Sequence, residues 1–148
     1  MARRVTVFLL ALFVTYVLAA SAATQSVLMR LREMGIRITL DHRLSATGHD
    51  LIGMATSFLP LLALGLLLAF VVTGWINRWF EGWRVALYVL AGAVAVIAVH
   101  AGLKLALDIT PVAAARTTGG LMIQAAAGAA GGLIYGLSTN APGAVLHD

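Results

Sequence analysis

Seven ionisable side chains with the chemistry for catalysis or ligand binding fall near one end of the apolar segments of this chain. They lie in the polar loop before the second apolar segment, where that segment begins, where the third ends and where the fourth begins: His42, His49, Asp50, His100, Lys104, Asp108 and Arg116. Ionisable groups within or near a membrane core are functional candidates by default. His100 is the first of these candidates because it lies inside an apolar run.

Three chemical interpretations of this group remain open. His49 and His100 could ligate haem b, because imidazoles on facing helices are a normal pair of haem ligands. His100 with Asp50 or Asp108 could relay protons in a transporter or a quinone-reacting subunit. Two or three histidines with an aspartate could hold zinc or copper at the membrane surface.

Each side chain also has a purely structural interpretation, and together these are favoured over the three chemical ones. Lys104 and Asp108 are four residues apart on a helix, so they can form an ion pair at its end, which Arg116 can join. Asp50 near a helix N-terminus complements the helix dipole. His100 could make a single hydrogen bond inside the protein and have no other role.

The composition indicates a polytopic membrane protein. Of the 148 residues, 61% are hydrophobic and 11% are charged, and the mean hydropathy is +0.95, whereas soluble domains carry about 25% charged residues. The chain contains no cysteine, which excludes disulfides and thiolate chemistry. The net charge of +4 comes from basic residues near the segment ends, a pattern typical of contact with lipid headgroups and not of nucleic-acid binding.

The expected fold is all-α, an antiparallel bundle of four transmembrane helices in a single domain. Because a span needs about 20 apolar residues, the sequence predicts spans over residues 5–29, 51–76, 85–107 and 114–138. One polar loop, residues 30–50, connects the first two spans. In this loop Gly35 is expected to end the first helix, and alternating apolar residues predict an extended segment in the membrane interface. Pro60 is expected to kink the second span.

The first span resembles a secretory signal, with a basic start and the small residues Ala20, Ser21 and Ala22 in a cleavage pattern. An uncleaved helix is favoured, because the apolar run continues beyond that site. The termini are expected to be cytoplasmic in a bacterial inner membrane, although a count of basic residues alone favours the opposite orientation. Trp75, Trp79 and Trp83 around one turn are typical of the membrane interface, with an aromatic ligand box as the alternative.

One face of the fourth span is almost bare backbone. Residues four apart share a helix face, and on this face they are Gly120, Gln124, Gly128, Gly132 and Gly136. In water each interior glycine costs about 1 kcal/mol, but in a bilayer small residues let helix backbones approach. A second such line, in the second span, contains Gly53, Ser57 and Gly65. Both lines are predicted to pack against other helices, within the chain or across a dimer.

Several familiar catalytic motifs, HExxH, GxSxG, a phosphate-binding loop and CxxC, do not occur in the sequence. We therefore expect an accessory, assembly or scaffold subunit that packs against itself or a larger membrane partner. Such a subunit acts by binding and is not an enzyme. The alternative is a cofactor- or proton-handling membrane subunit, with haem b at His49 and His100. A third hypothesis is an oligomeric transporter of small molecules or lipids.

Overall fold

The computed structural model describes residues 2–80, 82–107 and 117–139, and within these ranges the chain forms helices and no strand. There are five of them: α1 Ala2–Glu33, α2 Leu40–Gly53, α3 Phe58–Ile76, α4 Arg84–Leu107 and α5 Thr118–Ser138. All except α2 are long and apolar enough to cross a membrane. For the residues that the structure describes, the prediction of an all-helical fold with four such helices is confirmed.

Gly35 ends the first helix, as the sequence predicts. Its φ of 85° lies in the left-handed region that glycine adopts without steric cost. The backbone N–H groups of Gly35 and Ile36 donate to the carbonyls of Arg32 and Leu31, which is the hydrogen-bond pattern of a Schellman cap. This cap satisfies carbonyls that would otherwise lack partners at the end of α1.

The predicted extended segment covers residues 36–41, and residues 36–39 indeed lie outside any helix. The sequence did not predict that a helix, α2, begins at Leu40. Thr39 caps this helix, since its side chain accepts a hydrogen bond from the backbone N–H of His42. Asp41 in the first turn complements the helix dipole. These two local signals outweigh the alternation of apolar residues at positions 36, 38 and 40.

Helix α2 is amphipathic and is tied to α1 by its polar side. The Arg43 guanidinium donates to the amide oxygen of Gln25 over 3.0 Å, and the Gln25 amide donates to the Thr47 hydroxyl over 3.3 Å. The apolar side chains of Leu40 and Leu44 remain exposed. A helix with this distribution suits the surface of a membrane.

Residues 54–57 form a turn that divides the predicted second span between the end of α2 and α3. Pro60 therefore occupies the third position of α3 and does not lie in the middle of a helix, where it was expected to cause a kink. Its ring would clash with the carbonyl four residues earlier in a continuous helix. In a first turn the missing N–H has no cost, because those groups have no helical partner.

Neighbouring long helices run in opposite directions. Along the contact between α4 and α5, Val85 meets Gly136 and Tyr88 meets Gly132, so residue numbers fall on one helix as they rise on the other. The pair α3 and α4 shows the same order in its ring contacts. Helix α5 lies between α1 and α4, and α3 packs mainly on α4.

The glycine face of α5 lies against α4 at its closest approach. A Cβ atom built on Gly128 would overlap the carbonyl of Gly92, and one built on Gly132 would overlap the carbonyl of Tyr88. On the side towards α1, a Cβ on Gly131 would overlap the hydroxyl of Thr15. Only glycine allows the backbones to come this close.

Candidate functional site in the buried polar cluster of His100

His100 is an almost fully buried imidazole in the apolar interior. Its ring is 4% exposed and stacks on Phe58 of α3, with ring centroids 5.6 Å apart and planes 28° from parallel. Among the described residues neither ring nitrogen has a hydrogen-bond partner. A neutral imidazole carries one donor and one acceptor, so this site offers two unused polar atoms.

Gln124 lies beside this imidazole on α5 and is fully buried. Its amide nitrogen donates to the carbonyl of Ala19 on α1 over 2.9 Å. Its amide oxygen has no partner among the described residues. The two side chains are neighbours, yet no pair of atoms between them has hydrogen-bond geometry. The sequence marked Gln124 only as a packing residue, although a single amide in a glycine face is itself a signal of a buried polar site.

Thr15 is a separate buried polar residue on α1, about one helical turn from Ala19. It is fully buried, lies against Gly131, and its hydroxyl oxygen has no partner in the described part of the chain. A buried polar atom without a partner costs about 1–3 kcal/mol. Such groups are normally satisfied by buried water or a polar ligand, and sequence reasoning did not select Thr15.

A second polar group joins α2 to α1 around Asp50. The Thr24 hydroxyl donates to the Asp50 carboxylate over 2.7 Å, and the Tyr16 hydroxyl donates to the carbonyl of Leu51 over 2.6 Å. The Phe58 ring contacts the rings of both Tyr16 and His100. An apolar ring thus lies between the Asp50 group and the His100 cluster, and it supplies no atom that could carry a proton.

The remaining predicted site residues do not gather around His100. His49 is exposed on α2, in a shallow groove with Leu28 and Ile38, so the two imidazoles proposed for haem have different surroundings. Lys104 is exposed near the end of α4. Asp108 and Arg116 lie outside the described residues. Within residues 2–80, 82–107 and 117–139, no group of three or more metal-ligating side chains could hold a metal ion.

The second line of small residues is divided by the turn at 54–57. Gly53 and Ser57 are exposed, and no described atom lies within 4 Å of a Cβ built on Gly53. Gly65 does face another helix, because a Cβ there would come 2.6 Å from the Val99 side chain of α4. Of these three residues, only Gly65 in α3 therefore lies at a contact between helices.

An apolar groove runs between the outer faces of α3 and α4, with a volume of about 570 Å³. Its floor is made of small side chains, including Ala69, Ala91 and Ala95, and its rims carry larger exposed ones, including Leu68 and Leu90. Along α3 it extends from residue 61 to residue 76, about 22 Å at the rise of an α-helix. The hydrocarbon core of a bilayer is about 30 Å thick, so the groove extends along roughly three-quarters of it.

Comparison of the chain with protein-family models, with curated proteins and with solved structures finds no match.

Proposed function

We propose that the chain is an integral membrane protein of four antiparallel spans that acts as an accessory subunit. In this proposal it holds a transmembrane helix of a larger membrane-protein partner, or of a second copy, in the groove between α3 and α4. The protein then contacts both the lipid bilayer and its partner. The expected location is the bacterial inner membrane, with both termini in the cytoplasm. The role proposed for the protein is to bind and position the transmembrane helix of its partner.

The observation that carries this proposal is the small-residue floor of the groove. Transmembrane helices associate where small residues let their backbones approach. The glycine face of α5 is already occupied by α4 and α1, so it offers no surface to a partner. The groove between α3 and α4 is a second small-residue surface, and its rims of Leu68 and Leu90 are exposed.

Photo-crosslinking in native membranes tests this proposal. A benzoylphenylalanine at Leu90, on the groove rim, should give one discrete protein adduct when cells are irradiated. The matched control is the same residue at Met122 on α5, outside the groove. The two native side chains have nearly equal exposure, 61% and 63%, and the control should give lipid adducts alone.

The mass of the adduct identifies the occupant. Twice the chain mass means a second copy, and any other single mass means a different membrane protein. Lipid adducts alone at both positions would overturn the accessory role, as would the same protein adduct from both.

Topology gives a second expected result, and the absence of native cysteine makes it simple to measure. Single cysteines at Ser45 in α2 and Phe80 in the α3–α4 turn should react with a membrane-impermeant maleimide from opposite sides of the membrane. The reason is that one span, α3, separates them. Labelling of both positions from the same side would contradict the four-span arrangement.

The buried neighbours His100 and Gln124 favour a second candidate function, a proton- or cofactor-handling membrane subunit. This candidate is supported by the buried polar atoms that have no partner among the described residues. A purely structural role does not explain why these atoms lack partners. The exposed position of His49 weighs against the haem form of this candidate, which needs two facing imidazoles.

A further inference from the structure

A cleft opens between α1 and α3 at the end of the bundle where α1 begins. Its volume is about 760 Å³, within the range of small-molecule sites. Here α1 and α3 touch through Phe8 and Phe70, whose ring centroids are 6.2 Å apart. Exposed apolar side chains, Leu9 on α1 and Val71 on α3, line its rims. The cleft is therefore open sideways, towards the apolar surroundings of the helices.

Two arginines from different elements line the mouth of this cleft. Arg4 belongs to the first turn of α1 and Arg78 to the turn after α3. Both are exposed, and neither guanidinium group forms an ion pair or hydrogen bond with another described residue. The structure thus places two guanidinium groups, each able to donate several hydrogen bonds to a phosphate or carboxylate, around one opening.

The other two arginines at this end have structural roles. Arg3 donates to the carbonyl of Ser138 over 2.7 Å, and Arg84 donates to the Thr139 hydroxyl over 2.7 Å. Both bonds hold the C-terminal end of α5, where cations complement the helix dipole. The contrast with Arg4 and Arg78 separates the arginines that hold the fold from those that are available to a ligand.

The inner wall of the cleft is aromatic with a polar edge. Phe70 stacks on Tyr135 at 4.6 Å, and Tyr88 packs edge-on against both rings. Both tyrosines line the cleft, and their hydroxyls have no hydrogen-bond partner among the described residues. Tyr88 as a residue is buried to 96%, and its hydroxyl lies beside Gly74, which also lines the cleft. Trp75 at the rim is typical of headgroup depth.

We propose that this cleft binds one anionic phospholipid from the bilayer. Its phosphate lies between Arg4 and Arg78, and one acyl chain lies along the apolar rims between α1 and α3. Charge complementarity selects an anionic ligand, and the sideways opening with exposed apolar rims selects one that carries an acyl chain. The proposal is independent of the groove between α3 and α4, which lies on another face of α3.

Native mass spectrometry of the detergent-purified full chain tests this site. Phosphatidylglycerol and phosphatidylcholine with identical acyl chains are titrated against the protein. One phosphatidylglycerol should bind at concentrations where phosphatidylcholine does not. The double variant Arg4→Gln, Arg78→Gln should bind phosphatidylglycerol roughly 30-fold more weakly, from the loss of two basic groups near an anionic headgroup.

The matched charge control is Arg30→Gln, Arg32→Gln, which removes two exposed arginines at the other end of α1. It should leave the phosphatidylglycerol affinity unchanged. Val71→Trp fills the cleft without changing its charge and should weaken lipid binding. Val72→Trp, whose side chain lines the α3–α4 groove, should not.

Inorganic phosphate serves as a competitor that lacks an acyl chain. If it displaces the lipid at equal concentration, the site is a free-anion site and the lipid proposal fails. Equal binding of the two lipids, or equal weakening by the two arginine double variants, would also overturn it. Circular dichroism and the elution volume of each variant establish that the helices and the monodisperse state are retained.

Discussion

Gly128→Ala should destabilise the protein by about 1–3 kcal/mol, the usual cost of overpacking a filled core. In most helices this change is favourable, because alanine is the better helix former by about 1 kcal/mol. Here the added Cβ would overlap the carbonyl of Gly92, and a backbone group cannot turn aside as a side chain can. The free energy of unfolding, from denaturation in mixed detergent micelles, measures the effect.

The same substitution at Gly119 is the matched control, because it lies in the same helix and no described atom is within 4 Å of the new Cβ. Gly119→Ala should leave the stability unchanged or raise it by up to about 1 kcal/mol. Gly128→Leu should destabilise the protein more than Gly128→Ala does, whereas Leu121→Met should leave its stability nearly unchanged. If positions 128 and 119 tolerate alanine equally, the close contact between α4 and α5 is wrong.

Gln124→Leu should destabilise the protein by about 0.6 kcal/mol, the average measured for hydrogen bonds between helices in membranes, and by no more than the measured maximum of about 1.7 kcal/mol. The change removes the bond from the amide nitrogen to the carbonyl of Ala19, a polar link between α5 and α1. Unfolding in mixed micelles measures the loss. Gln124→Glu does not serve as a control, because it would bury a carboxylate in an apolar core.

The companion variant His100→Leu separates the roles of the buried cluster. In a structural role it should change stability less than Gln124→Leu, because it breaks no hydrogen bond to a described residue and removes two buried polar atoms without partners. Replacing a buried polar group of this kind by an apolar one can be neutral or stabilising.

The other two roles of His100 give different outcomes for the same variant. In a haem-binding role a Soret band of the wild-type protein would be lost, and in a proton-transfer role a pH-dependent activity would be lost while the fold persisted. A stability loss from His100→Leu larger than that from Gln124→Leu would show that the imidazole is held by a bonded polar network.

Features encoded within one or two turns of a helix could be predicted from the sequence. The apolar length of the four long helices, the glycine face of α5 and the helix end at Gly35 are of this kind. Each depends on hydropathy, on the 3.6-residue period or on a single φ angle. Helix α2 was missed because the alternating residues 36–40 favour an extended segment in the membrane interface, while Thr39 and Asp41 supply the helix cap and the first-turn acid.

Which helix meets each face was decided by the tertiary structure alone. The sequence placed Gly128 on a small-residue face, but only the fold sets that face against Gly92 within one chain. Helix rotation likewise buries His100 beside Gln124 and leaves His49 exposed. Periodicity fixes which residues share a face, whereas the partner of that face depends on contacts between residues far apart in the chain.

In the cleft between α1 and α3, too, the sequence determined some features and the tertiary structure decided others. The sequence determined that arginines and tryptophans lie at the segment ends, because hydropathy alone fixes where a span stops. Only the fold brings Arg4 and Arg78 to one opening and leaves the hydroxyl of Tyr88 without a partner among the described residues. The physical reason is that charge and apolarity are properties of single residues, while a binding site depends on the relative position and rotation of whole helices.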